Sequence, residues 1–279
     1  MAASLQKVHY LQRWGVGLAL ALCLFGCATQ QSTQPGVVGV ERKQTLWVSA
    51  SEVNQASLQA YQDVLHKSEQ QHDLDRNPQE VARVRAIAQR LIPATAAFRP
   101  DAPGWKWETH VIDSPEINAW CMPGGKIAVY SGLIEKLNLT DDELAAVMGH
   151  EIAHALREHG RERASQAMAT GLGLSVVGAA VGASSGQLDL AKLITDLTIS
   201  LPNSRGFETE ADRIGVELAA RAGYDPRASL TLWQKMSKAE SGGAPPQWLS
   251  THPSHENRQK DLAKYSERVL PLYQAAQKH

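Results

Sequence analysis

The sequence predicts an α+β fold that is mainly α-helical, with a small antiparallel sheet next to one central helix. The helical part is indicated by two capping boxes, in which a serine or threonine is followed three residues later by glutamate, at Ser49–Glu52 and Thr140–Glu143. The sheet is indicated by an alternating run at residues 105–112 and by two short extended runs at residues 117–121 and 126–130.

Bulk composition limits the kind of protein this can be. A chain of 279 residues can bury a sizeable core, as one large domain or two small ones. The formal net charge of −1 is nearly balanced, so nothing indicates binding to a polyanion. We therefore predict no nucleic acid among the partners.

The first 26 residues are predicted to be a lipoprotein signal peptide and not part of the fold. Lys7 and Arg13 give a basic start, and residues 14–25 form an apolar run that is too short for an ordinary transmembrane helix. The run ends in Leu-Phe-Gly-Cys at residues 24–27, which resembles a bacterial lipobox. A plain signal peptide and an uncleaved anchor are the alternatives.

Lipidation of Cys27 would anchor the protein through acyl chains, without a membrane span. Ala28 follows the cysteine. By resemblance to the sorting rules of enteric bacteria, a residue other than aspartate at this point implies the outer membrane, with the domain facing the periplasm.

The mature chain is predicted to contain a polar tether over residues 27–48 and one folded domain over residues 49–279. Cys121 is then the only cysteine of the domain, so no internal disulfide is expected.

Two helices are predicted before the sheet. The first opens at Ser49 and runs to about Gln71; the second opens at Asn77-Pro78, an asparagine cap followed by proline in the first turn, and stops at Pro93. Within the sheet region, Pro123-Gly124-Gly125 predicts a tight turn between the last two strands. The central helix follows directly.

The central helix carries a His-Glu-x-x-His motif at His150, Glu151 and His154. Positions i and i+4 of a helix share one face, one turn apart. Two imidazoles so placed can hold one zinc ion, and the glutamate between them can act as a general base toward a water molecule at the metal. The motif is short enough to occur by chance on an ordinary amphipathic helix. A further metal ligand downstream in the sequence would support the prediction of a zinc site.

That further ligand is predicted on an acidic helix that opens near Arg205. Glu208 and Asp212 share a face one turn apart, whereas Glu210 points the other way and is interpreted as compensation of the helix dipole. We predict that Glu208 binds the zinc and that Asp212 accepts the free ring N–H of a zinc-bound histidine.

His159 is interpreted as a polar residue near the end of the central helix. The metzincin pattern requires glycine three residues and histidine six residues after the second motif histidine. Arg157 and Gly160 occupy those positions, so that class is excluded.

These segments, in this order, resemble one family, the zinc metallopeptidases that include HtpX and the CAAX prenyl endopeptidases. The resemblance covers about residues 80–265 and implies a zincin-like metalloprotease domain. Its motifs are Asn118-Ala119-Trp120-x-x-Pro123-Gly124-Gly125, Gly149-His150-Glu151-x-x-His154, Glu208-x-Glu210-Ala211-Asp212 and His252-Pro253 with Arg258.

The resemblance implies one zinc ion per chain, held by His150, His154 and Glu208, with Glu151 as the catalytic base. A family histidine in the His-Pro motif approaches the zinc, which makes His252 a candidate for two roles. It would donate to the oxyanion of the transition state, or cap the zinc as a fourth ligand at rest.

The resemblance also implies that Asn118, Ala119 and Trp120 form an edge strand on which a substrate pairs by β-augmentation. Bacterial lipoprotein members imply an endopeptidase that cleaves misfolded or unassembled proteins of the cell envelope and reaches the membrane through Cys27. The sequence lacks multiple apolar spans, so processing of prenylated proteins is not expected.

Two rival functions stay open at this point. A chaperone-like envelope protein would hold unfolded chains on the edge strand and use zinc structurally; a closed site of four protein ligands would favour it. Another zinc hydrolase, such as an amidase, would differ in whether an unfolded protein is cut.

Overall fold

The computed structural model of the protein describes residues 29–178, 188–240, 246–253 and 257–278. Within these ranges the chain is mainly helical, with one three-stranded sheet and a short two-stranded ribbon, which confirms the predicted α+β class. The strands are β1 Thr29–Gln30, β2 Gln44–Thr45, β3 Glu108–Ile112, β4 Ala119–Met122 and β5 Lys126–Tyr130. The helices are α1 Ala50–Gln70, α2 Pro78–Ala94, α3 Ser131–Leu137, α4 Asp141–Leu156, α5 His159–Gly178, α6 Leu188–Thr195, α7 Arg205–Arg221, α8 Ala228–Glu240, α9 Gln247–Thr251 and α10 Arg258–Ala276. Shorter helical turns cover Thr95–Ala97, Ala102–Gly104 and Asp196–Ser200.

Helix α4 is the centre of the fold, and its residues from Glu143 to Leu156 are all buried. The predicted capping box starts it. Thr140 N donates to the Glu143 carboxylate over 2.9 Å, and Glu143 N donates back to the Thr140 hydroxyl over 3.3 Å. Helices α2, α7 and α8 and strand β4 pack around it. The prediction of a helix beginning at this box is confirmed.

The sheet beside α4 is mixed, so the prediction of a wholly antiparallel sheet is wrong. Its order is β3-β5-β4, with β3 parallel to β5 and β4 antiparallel to β5. Gly124 and Gly125, with φ of 83° and 82°, form the tight turn that makes β4 and β5 a hairpin. Alternation of side chains predicts a strand but not its direction or the strand that it pairs with. The position of β3 in the sheet could therefore not be predicted from the alternation.

Residues 29–48 pack on the domain, whereas a tether was predicted for residues 27–48. Val38 and Val40 lie in the main hydrophobic core. Gln44 in β2 is fully buried and donates to the carbonyl oxygen of Arg157 over 2.5 Å. The apolar side chains here are few and irregularly spaced, so no helix or strand period reveals that they are buried.

Several predictions fall on residues outside the described ranges. These are the signal peptide over residues 1–26, the lipidation of Cys27 and the start of the tether at residues 27–28. Among the helices that the structure describes, none has the length and apolar character needed to cross a membrane.

Candidate metal centre

Four buried side chains converge where α4, α7 and the end of α9 meet. They are His150, His154, Glu208 and His252, and each offers a ligand atom that lies within 4.8 Å of the others. The two motif histidines place their Nε2 atoms 3.1 Å apart. The Glu208 carboxylate lies 3.5 Å from Nε2 of His150 and 3.4 Å from Nε2 of His154. The structure therefore brings together the residues predicted as ligands and the candidate His252.

Two glycines allow the helices that carry these residues to cross closely. A Cβ atom built on Gly149 would lie 2.9 Å from the carbonyl oxygen of Gly215, and one built on Gly215 would lie 2.7 Å from the amide nitrogen of His150. Such short contacts are sterically forbidden, so α4 and α7 can approach this far only with glycine at both positions. The crossing brings His150 of α4 against Asp212 of α7.

The far side of His150 faces Asp212, the residue expected to accept a ring N–H. Its Nδ1 lies 3.0 Å from Oδ1 of Asp212, and Arg258 Nη2 donates to the same oxygen over 2.7 Å. Burial lowers the pKa of His150, but the carboxylates of Asp212 and Glu208, which accept hydrogen bonds from the ring, outweigh burial and raise that pKa to about 9. The site therefore stabilises positive charge at this point.

The arrangement of polar atoms suits a cation. A cation at the site can take the place of the second ring proton of His150. Nδ1 then donates its hydrogen to Asp212, and the lone pair of Nε2 faces Nε2 of His154 and the Glu208 carboxylate. Oε2 of Glu208 is buried and accepts no hydrogen bond, although Nη2 of Arg258 lies 3.2 Å from it as an ion-pair partner. Acceptor atoms that face one another at these distances repel unless a cation lies between them. Imidazole nitrogens with one carboxylate oxygen are a donor set that zinc prefers.

Glu151 lies beside this cluster and faces a small cavity. Its Oε1 accepts a hydrogen bond from the indole Nε1 of Trp248 over 2.7 Å and lies 3.4 Å from Nε2 of His252. The cavity measures about 30 Å³ and is lined also by Cys121, Leu197, Thr198 and Asn203. No pattern in the sequence indicates Trp248, which lies 97 residues after Glu151 in the chain.

The structure does not place His159 where the sequence analysis expected it, as a polar residue near the end of the central helix. The backbone of Glu158 has φ of 52°, which ends α4 and folds the chain back, so that His159 begins α5 beneath the motif. The ring is 1% exposed. Its Nδ1 lies 2.8 Å from Nδ1 of His154, and its Nε2 lies 3.0 Å from Oε2 of Glu210.

Glu210 points away from Glu208, as predicted, but dipole compensation does not describe its environment. It is buried, and its carboxylate accepts hydrogen bonds from Arg157 over 2.9 Å and from Arg42 over 2.5 Å. Burial raises the pKa of Glu210, but these partners and His159 outweigh it and hold that pKa far below its usual range. A helix-face argument could not identify Arg42, because it lies on a different part of the chain.

The predicted substrate strand lies at the edge of the sheet, since no strand of the described residues pairs with the free side of β4. Tyr130 N donates to the carbonyl oxygen of Asn118 over 3.1 Å. Because antiparallel pairs alternate, Ala119 and Cys121 then direct their main-chain groups away from β5, whereas Trp120 bonds toward β5. The Ala119 N–H already donates to the side-chain oxygen of Asn118 over 3.0 Å.

A comparison with protein families identifies the chain. Residues 78–266 match the profile of peptidase family M48. The chain belongs to peptidase family M48. The matched region contains every residue of the metal centre described above. Family M48 enzymes use zinc, so the predicted family, zinc as the metal and the zincin-like domain are confirmed.

This M48 chain is similar to several proteins of known name. It is 42% identical to the mitochondrial metalloendopeptidase OMA1 of Bos taurus over 203 residues, which cover 67% of this chain and 37% of that protein. It is 28% identical to the mitochondrial metalloendopeptidase OMA1 of Saccharomyces cerevisiae over 269 residues, 91% of this chain and 76% of that protein. It is 32% identical to the beta-barrel assembly-enhancing protease of Escherichia coli over 171 residues, 58% of this chain and 35% of that protein.

The M48 chain thus spans little more than a third of the bovine and Escherichia coli relatives. Family and relatives together support the predicted enzyme class, a zinc metalloendopeptidase. The role of each site residue, the substrates and the location are matters of proposal.

Proposed function

We propose that the protein is a zinc-dependent endopeptidase that cleaves misfolded or unassembled proteins of the bacterial cell envelope. The observation that carries the catalytic part is the position of Glu151. Its carboxylate borders the ligand cluster and the cavity without being one of the grouped ligands. A structural zinc site has no use for a free base at this point, whereas hydrolysis of a peptide bond requires one.

In this proposal His150, His154 and Glu208 hold one zinc ion per chain. Zinc, when bound, supplies Lewis-acid activation of water and of the substrate carbonyl. Glu151 takes the proton of the attacking water and passes it to the leaving amine. Trp248 fixes one oxygen of the Glu151 carboxylate by its N–H, which leaves the other oxygen to receive and deliver the proton.

His252 is proposed to restrain the site at rest. Its Nδ1 lies 3.2 Å from Nε2 of His150 and 3.0 Å from Oε1 of Glu208, which supports the capping role in this arrangement. Once a substrate enters, the ring would swing out and donate to the oxyanion. We expect His252→Ala to lower turnover by about a hundredfold to a thousandfold with zinc retained, the usual effect of losing such a donor. Increased proteolysis in this variant would show that capping is its whole role.

The substrate is proposed to add to the free edge of β4 as an extended strand. Recognition through main-chain groups implies a loose sequence preference, which suits unfolded chains. Asn118, Ala119 and Trp120 are all buried at this edge. The residues 196–203 approach the same region, because Leu197, Thr198 and Asn203 line the cavity beside Glu151.

The envelope location is proposed from the lipobox-like sequence at Cys27 and from one relative whose name places it in β-barrel assembly. The acylated Cys27 would anchor the domain to the outer membrane, facing the periplasm. Replacement of Cys27 by serine should abolish labelling with palmitate. Unchanged labelling would exclude this anchor without affecting the proposed activity.

One observation favours the rival, a chaperone-like protein with a structural zinc. Four potential ligands converge, and closed sites of four protein ligands are typical of structural zinc. The two functions differ in whether a bound chain is cut.

The decisive experiment incubates the full chain with an unfolded protein such as casein, with and without a zinc chelator. The wild type should cleave it, the chelator should stop cleavage, and Glu151→Gln should lose cleavage while keeping its zinc. Binding without cleavage by the wild type would establish the rival. Full activity of Glu151→Gln would remove the proposed base.

A further inference from the structure

The two motif histidines are held in different ways on the side that faces away from the metal. Nδ1 of His150 meets a carboxylate directly, that of Asp212, at 3.0 Å. Nδ1 of His154 meets a second imidazole, that of His159, at 2.8 Å. We propose that His159 and Glu210 form a relay that fixes the orientation and tautomer of His154. His159 is then a positioning residue of the metal centre, an inference that rests on the proposed role of His154 as a ligand.

The direction of each hydrogen bond follows from the charged end of the relay. A carboxylate only accepts, so Nε2 of His159 carries the hydrogen that it donates to Glu210 over 3.0 Å. With one proton on each ring, Nδ1 of His159 is an acceptor and takes the Nδ1–H of His154. The Nε2 atom of His154 is left with its lone pair on the side of Glu208, 3.4 Å from Oε1. This is the tautomer that a metal ligand needs.

The far end of the relay is rigid. Glu210 is fixed by Arg157, which is fully buried and donates also to the hydroxyl of Thr33 over 3.1 Å. Arg42 joins Glu210 to Glu162 by hydrogen bonds to both carboxylates. Thr33 and Arg42 belong to the segment before α1. The relay therefore connects that segment to the metal site through side chains that are charged and paired.

A packing role alone does not account for His159. Its ring stacks on Phe207 with centroids 4.4 Å apart, and an apolar side chain would satisfy that contact equally well. An imidazole has in addition two ring nitrogens, and both are partnered here. The polar function and the packing function can be separated by substitution.

Two variants of His159 make this separation. His159→Leu keeps an apolar side chain against Phe207 but offers no acceptor to His154. His159→Gln keeps a side-chain carbonyl that can accept the same N–H. Zinc affinity of the full chain is measured by competition with a chelator, and the cobalt-substituted protein is compared by visible absorption, which reports the ligand geometry.

We expect His159→Leu to lower zinc affinity by about tenfold to a hundredfold, as is usual when the partner of a ligating histidine is lost. His159→Gln should lose less, and the cobalt spectrum should change in the leucine variant more than in the glutamine variant. The matched control is His110→Leu, which breaks a comparable pair, between Nδ1 of His110 and the carboxylate of Asp75 at 2.8 Å. It should leave zinc affinity unchanged.

Equal zinc affinity in wild type and His159→Leu would overturn the relay and assign His159 to packing. If His159→Leu does not fold, Glu210→Gln is measured in its place. A zinc affinity and a cobalt spectrum equal to those of the wild type in that variant would also overturn the relay. Failure of the proposed function would give a different result, namely a wild-type chain that binds zinc but does not cleave an unfolded protein. The relay can be right in that case.

Discussion

Trp248 holds the carboxylate of Glu151, because its indole nitrogen donates to Oε1 over 2.7 Å. The backbone carbonyl oxygen of Trp248 accepts a hydrogen bond from the backbone N–H of His252 over 2.8 Å. The backbone N–H of Trp248 donates to the carbonyl oxygen of Ile117 over 3.1 Å. One short helix, α9, therefore links the proposed base, the proposed cap and the approach to the substrate strand.

Replacement of Trp248 by phenylalanine should lower cleavage while zinc is retained. The ring still packs, but the N–H that orients Glu151 is lost. The loss should be smaller than the roughly hundredfold to ten-thousandfold that a general base contributes as a whole. The measurement is kcat/KM on an unfolded protein together with zinc content. Trp105→Phe is the control, because it breaks an indole–carboxylate hydrogen bond to Asp101, at 3.0 Å, that lies away from the site. Equal activity of the wild type and both variants would contradict the prediction.

Replacement of Gly215 by alanine should separate α4 and α7. The added methyl group would lie 2.7 Å from the backbone nitrogen of His150, and backbone cannot move aside as a flexible side chain can. We expect a loss of about 1–3 kcal/mol in the free energy of unfolding, typical of overpacking, and weaker zinc binding. Gly206→Ala on the same helix is the control, because its nearest neighbour is 3.9 Å away. Urea unfolding and chelator competition measure both effects, and identical results for the two variants would refute the crossing argument.

Proline at Cys121 should impair cleavage more than serine at the same position. The N–H of Cys121 is directed away from β5, toward the proposed substrate, and proline removes it. Serine keeps the N–H and nearly the same volume, so it controls for loss of the thiol. Both variants are compared for cleavage of an unfolded protein, with melting temperature as a check on folding. If the proline variant is folded and as active as the serine variant, the substrate does not pair at this residue.

Stability should depend on pH through Glu143, the capping residue of α4. Burial raises its pKa, but Lys235 at 2.6 Å and hydrogen bonds from Thr140 and Thr231 outweigh it and lower the pKa below the usual 4.5. The folded state then binds fewer protons than the unfolded state near this pH. The stabilisation is present above about pH 4.5 and is lost as pH falls through the lowered pKa.

Glu143→Gln should therefore unfold more easily at pH 7 and show a flatter dependence of stability on pH between 7 and 3. Lys235→Met should flatten the dependence as well, because it removes the main partner. Urea unfolding at several pH values measures this. Parallel curves for wild type and Glu143→Gln would contradict the assignment.

The central site was predictable because its spacing is local. His150 and His154 are one turn apart on one helix, and so are Glu208 and Asp212, so a helical period places each pair on a shared face. The crossing that joins the two helices follows from Gly149 and Gly215, and a single glycine in a sequence does not reveal its neighbour. The family resemblance supplied that pairing.

His159 and Trp248 could not be found in this way. His159 is five residues after His154, and a continuous helix would turn it to another face. The positive φ of Glu158 breaks the helix and returns the ring to the site. Trp248 reaches Glu151 by tertiary packing alone. The placement of β3 and the packing of residues 29–48 could not be predicted for the same reason, because both depend on contacts between distant parts of the chain.

The cavity beside Glu151 has a volume of about 30 Å³. One or two water molecules fill such a space. We therefore expect the site to open when a substrate binds. On the proposed mechanism, a substrate would reach Glu151 after displacement of the wall formed by Leu197, Thr198 and Asn203 or of His252. A tightly folded neighbour has no loose segment with which to open that wall, whereas an unfolded chain has many. Selectivity would then arise from admission to the site and not from the amino acids on either side of the bond that is cut.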